Sequence, residues 1–307
     1  MLSVAILVVS HASGSASEAP YPGLPDDDGP WVGVAQGGIT EAGKARQWAS
    51  VPMQAVAVNN YTRYEYPYPP DDPYGRTSDL VYQPSLFFVP PPGSEFPYGM
   101  SPKFKVRTVA FGAIPVEATL QLIQRRSADN LPIPIEGHSS QTTYGVSTEQ
   151  QRQVYNDTQV EDVVTLRVTR LLVDGVDLNL GNRCQTAKPG ALSLLGKGWR
   201  QGIDQVDQAR PWETGNYAPG SGGLLVGKVD VPAFAGCLTG GGEDVSRLLT
   251  SAVSGPDNAV KVNVTGTYCN RPVPPATSGT GPPQTGETTP EAAGCPADKV
   301  PPVIPIP

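Results

Sequence analysis

Residues Gly222 to Lys228 (GGLLVGK) match the G-x4-G-K spacing of a phosphate loop, in which backbone amides cradle phosphates and the lysine reaches them. Val229 stands where such a loop needs Ser or Thr for magnesium, and the alternation that follows is that of a strand. An ordinary strand is therefore expected there. Gly137-His138-Ser139-Ser140-Gln141 has the start of a hydrolase elbow without its second glycine, and the chain has only two histidines, His11 and His138. With so few imidazoles, a Ser-His-Asp triad is not expected, and His138 reads as a loop residue. Asp177, Asn179 and Gly181 have part of a calcium-loop spacing without the later glutamate. Strand alternation accounts for the same three positions.

Paired carboxylates are the one catalytic option that composition leaves open, since Asp and Glu total 29 and a glycosidase needs only two at a fixed separation. No spacing selects a pair. Asp26 to Asp28 and Asp71-Asp72 lie near Trp31, Tyr68 and Tyr74, and are expected to be solvated turns. Tyr64, Tyr66, Tyr68 and Tyr74 form the candidate ligand surface, as exposed aromatics at a binding face. No cofactor and no metal site is expected.

Cys184, Cys237, Cys269 and Cys295 are even in number, with no CxxC spacing and no nearby histidine to complete a zinc site. Leu2 to Val9 (LSVAILVV), followed by small residues to Ser17, has the order of a secretory signal, although no basic residue precedes it. Export and an even count point to two disulfides. Three connectivities are open, of which the sequential one, Cys184 with Cys237 and Cys269 with Cys295, is preferred. No other stretch is long enough for an apolar membrane span, so stable membrane insertion is not expected. A net charge of −7 and a pI near 4.9 argue against a nucleic-acid partner held by counterion release.

The elements that must position these residues are mostly strands. Glycine and proline number 34 each, roughly 22% of the chain against about 12% in ordinary usage, which excludes long helices as the main theme. Four segments are expected: a signal peptide at 1–19, a Pro/Tyr-rich acidic arm at 20–102, a β-domain at 103–270 and a Pro/Thr/Gly-rich tail at 271–307. The arm carries 15 prolines and 8 of the 12 tyrosines, with extended polyproline conformation expected, packing on the domain and one short helix over Thr40–Trp48. The tail has 11 prolines, too little apolar surface to order itself, and is expected to be disordered. Its Pro283 to Glu287 (PQTGE) overlaps a sortase signal but lacks the preceding leucine and the hydrophobic span that should follow, and is taken as chance.

Within 103–270, period-two alternation runs through Phe104, Val106 and Thr108, and again through Val116, Ala118, Leu120 and Leu122. Asp174-Gly175 has the residues of a type I′ turn, which sets Val173 opposite Val176 and Leu171 opposite Leu178. Leu225–Val231 and Val260–Tyr268 supply further strands, and Glu243–Val253 the one good helix. The expected fold is mainly β, an immunoglobulin-like antiparallel β-sandwich with one short helix.

Val106–Leu120 (VRTVAFGAIPVEATL), Val168–Thr186 (VTRLLVDGVDLNLGNRCQT) and Val231–Asn258 resemble segments of a group of exported actinobacterial proteins to which no activity is attached. The resemblance covers most of residues 103–265. It implies a Gram-positive, high-GC source, export and a bridge around Cys184 and Cys237, and it supplies no catalytic residues. The expected function is an exported, non-enzymatic binding or structural module, secreted or wall-associated, with a cell-wall glycan or another exported protein as partner. The alternative is a polysaccharide hydrolase using two carboxylates.

Overall fold

Strands whose apolar residues recur at every second position must bury one face, and here most of them do so by curling around a shared interior. The computed structural model describes residues 32–89, 94, 98–110, 113–145, 152–201, 215–219 and 222–265. The strands are β1 (Val32–Ala42), β2 (Gln47–Glu65), β3 (Arg76–Phe88), β4 (Phe104–Ala110), β5 (Ile114–Gln124), β6 (Ile135–Tyr144), β7 (Arg152–Tyr155) and β8 (Thr158–Val173). They continue with β9 (Val176–Asp177), β10 (Gln185–Thr186), β11 (Gly190–Gly196), β12 (Arg200–Gln201), β13 (Tyr217–Ala218), β14 (Gly222–Val231), β15 (Phe234–Ala235) and β16 (Gly255–Thr265). Helix α1 (Ser246–Val253) lies between β15 and β16.

All the pairings are antiparallel, and among the described residues they close a ring. Its order is β1-β2-β3-β6-β8-β11-β14-β16 and back to β1, with the short contact of Gly137 with Val160 and His138 with Gln159 joining β6 to β8. Every strand of the ring sends an apolar residue into one cluster: Val34, Val56, Phe88, Ile135, Val164, Leu194, Leu225 and Val264. This replaces the expected immunoglobulin-like sandwich. A sandwich keeps two sheets apart, whereas hydrogen bonding here runs around the whole circumference of a barrel.

A second layer is built on the far half of β8. Thr158 to Val164 pair with β11 in the ring, while Val164 to Val173 pair with β5. Thr169 is the extra residue of a bulge within the second of these stretches, and its Oγ1 donates to the Thr119 carbonyl, so β8 bends there, past the barrel. Between β5, β8, β10, β15 and α1 sits a smaller core of Val168, Leu171, Phe234, Cys184 and Cys237. Cys184 and Cys237 are joined there as expected and are fully buried.

The Asp174-Gly175 hairpin also forms as read. Both residues have positive φ, +48° and +79°, Val173 pairs with Val176, and the Leu178 amide donates to the Leu171 carbonyl. Val176 shares by register the face of buried Leu171, yet is exposed because it sits at the tip, beyond the core.

Two other expectations fail for local reasons. The helix over Thr40–Trp48 is instead a strand, a turn and a strand, since Arg46 has φ of +50° and Thr40 pairs with Ala49. Helix α1 starts at Ser246 and not at Glu243, because Asp244 bridges to Leu238 and its carboxylate accepts from the Ser246 amide. More broadly, residues 32–88 are not an extended arm packed on a domain. They supply three of the eight barrel strands, with Pro52 at a bulge of β2 where a missing N–H costs little. The expectations for 1–19, for 271–307 and for Cys269 and Cys295 lie outside the described residues.

Candidate functional site

Strands β2, β3, β6 and β7 run on past the barrel as a projecting sheet. Register assigns its faces: Thr62, Tyr82 and Ser139 lie in one row across β2, β3 and β6, and Tyr64, Leu80, Gln141 and Tyr155 in the next. Because rows two residues apart share a face, Tyr64, Tyr82 and Tyr155 stand on the same side, continuous with the barrel's inner face at Leu86 and Ile135.

The rings are close enough to form a strip. Tyr64 stacks with Tyr66 at 6.4 Å and 19°, Tyr82 meets Tyr155 at 6.5 Å, and Tyr155 stacks on Trp199 at 6.2 Å and 20°. Tyr64 and Tyr66 are 65% and 75% exposed, while Tyr82, Tyr155 and Trp199 are half-buried. The strip is anchored from beneath by polar groups. Tyr82 donates its phenol to Gln141 Oε1 at 2.7 Å, and Thr158 donates to Ser139 between the sheet and the barrel interior. Burial pushes the Tyr82 phenol well above its ordinary value, with Tyr155 and Tyr64 adding to the effect, so it remains a neutral donor.

The four tyrosines singled out from sequence divide into two groups. Tyr68 donates to Asp79 Oδ2, and Asp79 lies in the row of Glu65 and Thr142, on the face opposite Tyr64. There the Arg76 guanidinium lies 4.3 Å from the centre of the Tyr68 ring and 5.2 Å from that of Tyr74. Asp72 accepts from the Arg76 side chain and from the amides of Tyr74 and Arg76. The Arg76 hydrogen bond holds the Asp72 carboxyl down at about 2. Both Asp72 oxygens are thus engaged with Arg76 or backbone amides, and the Asp72 side chain is buried, not solvated as expected, while Asp71 beside it is exposed.

Tyr82, Tyr155 and Trp199 were not signalled by sequence. They stand 44 to 117 positions apart, and only strand pairing brings them together.

The other chemical motifs have ordinary surroundings. Gly222 to Lys228 lies inside β14, which runs on to Val231 and leads next to β15 and not into a helix. His138 is an exposed residue of β6, a strand and not a loop. Asp177 accepts from Arg170 at 2.6 Å and from the Asn179 amide, so its oxygens serve the hairpin. Among the described residues no three His, Cys, Asp or Glu converge as a metal site would require, and no helix is long and apolar enough to cross a membrane. Asp72, Glu117, Asp157, Asp177 and Asp244 are each held below the usual carboxylate range, chiefly by hydrogen bonds, the reverse of what a general acid needs. No family model, curated protein or solved structure matches the chain.

Proposed function

We propose that the protein is an exported, non-enzymatic binding module that takes an extracellular or cell-wall glycan on the aromatic strip. The observation that carries this reading is the exposed Tyr64–Tyr66 stack, continued by Tyr82, Tyr155 and Trp199 on one sheet face. The C–H face of a pyranose packs on such rings, while phenol and amide groups meet its hydroxyls. Placing the rings on paired strands fixes their spacing before binding, which lowers the ordering cost. The buried Cys184–Cys237 bridge supports an oxidising compartment, and with it the reading of export. The hydrolase alternative draws no support from the carboxylates above, which are tuned toward ionisation and paired with cations or amides.

The test is co-sedimentation with insoluble cell-wall polysaccharide. Tyr64→Ala with Tyr66→Ala should weaken retention about tenfold or more, whereas Tyr74→Ala, on the opposite face, should leave it unchanged. Equal retention of all three proteins would remove the strip from the function, and retention lost after protease treatment of the wall would point to an exported protein as partner.

A further inference from the structure

The ring of eight strands is not filled by its own side chains. A cavity of about 240 Å³ lies within it and extends to β4 and β5 at Phe104, Val106 and Leu120, walled by aliphatic residues such as Val34, Leu86, Val160, Leu194 and Val262. Eight strands is the barrel size at which side chains either just fill the interior or leave room for one small ligand.

Polar residues also line the cavity, Gln36, Thr158 and Tyr217 among them, and one of these polar residues, Gln54, has a buried donor without a partner. Gln54 is 2% exposed, lines the cavity, and has its amide nitrogen buried with no hydrogen-bond partner. Its position follows from the chain. Pro52 and Met53 together oppose Gly37 in a bulge of β2, after which Gln54 falls in register with Gln36, a second cavity residue. Gly37 accommodates the bulge, since a Cβ there would lie 2.8 Å from the Met53 backbone. Bulges re-aim side chains, and this one puts a residue with a buried, unpartnered donor in the cavity wall. A leucine of similar size would remove the desolvation penalty of that donor, and an acceptor on a molecule held in the cavity would offset it.

We propose that the barrel holds one small, mostly hydrocarbon molecule bearing a single acceptor oxygen, to which the Gln54 amide donates a hydrogen bond. An apolar cavity of about 150 Å³ holds a benzene, so by proportion this one takes roughly ten non-hydrogen atoms. The site is separate from the aromatic strip, and its probes are not glycans, so either reading can fail without the other.

The experiment compares 1-indanone, whose carbonyl accepts but cannot donate, with indane, the same ring system without the oxygen. Each is titrated into the full-length protein by calorimetry, with intermolecular NOEs to Val34 and Leu194 methyls to place the probe. The wild type should bind indanone about fivefold more tightly than indane, the value of a hydrogen bond of about 1 kcal/mol. In Gln54→Leu the preference should be lost or reversed, with the thermal transition of the ligand-free protein kept or raised. Gln54→Met, unbranched, serves the same purpose if Leu packs poorly. Equal affinities for the two probes in the wild type, an unchanged preference in both variants, or no NOE to the cavity methyls would overturn the assignment. So would an ordered water on the Gln54 amide that indanone does not displace.

Discussion

A Cβ built on Gly38 of β1 would lie 1.9 Å from the carbonyl oxygen of Lys261 in the adjoining strand β16. The two backbones approach this closely beside the β2 bulge, and only glycine lacks the atom that would collide. Gly38→Ala should therefore destabilise the fold by about 3 kcal/mol or more, at the upper end of overpacking costs. Gly43→Ala is the matched control, since its nearest neighbour, Asn258 Oδ1, would be 3.5 Å away. Chemical denaturation of both variants should separate them clearly. Equal midpoints would mean that β1 and β16 can move apart without loss.

Gly175 differs in kind. A Cβ there meets nothing within 4 Å, yet φ is +79°. The cost of Gly175→Val is then backbone strain alone, more than about 1 kcal/mol for a β-branched residue in that region. Denaturation should show it, and Gly175→Asn, which tolerates positive φ, should recover most of the loss.

The disulfide closes a long loop, with Cys184 and Cys237 separated by 53 positions. Replacing both by alanine should lower stability by up to about 4 kcal/mol, through the entropy returned to the unfolded chain. Because both residues are fully buried, thiol labelling of the native protein under reductant should proceed only as fast as it unfolds.

Asp72 gives a pH signature. Its folded value near 2 lies below the ordinary 3.8, so its pairing with Arg76 contributes stability above about pH 4 and loses that contribution as the pH falls through 2. The difference in thermal midpoint between wild type and Asp72→Asn should be constant above pH 4 and shrink toward zero below pH 2. A difference that persists at pH 1.5 would assign the effect to packing.

Local chemistry was legible in the sequence wherever neighbouring residues decide the outcome. The Asp174-Gly175 turn, the Phe104–Gln124 hairpin, the strand after Gly222 and the α1 segment all follow from alternation, turn residues and helix period within about a dozen positions. The Cys184–Cys237 pair was legible in another way, from the even cysteine count and the resemblance that spans both. The tertiary structure alone decided that residues 32–88 are barrel strands. Their prolines and tyrosines suggest an extended arm, and an extended chain and a paired strand differ little in their own backbone, but greatly in what lies at their edges. The same reason hid both sites. Tyr64, Tyr82, Tyr155 and Trp199 share a face, and Gln54 lines a cavity, only because the strand register set between distant segments puts them there. A one-residue change in that register would turn each side chain to the other side of the wall.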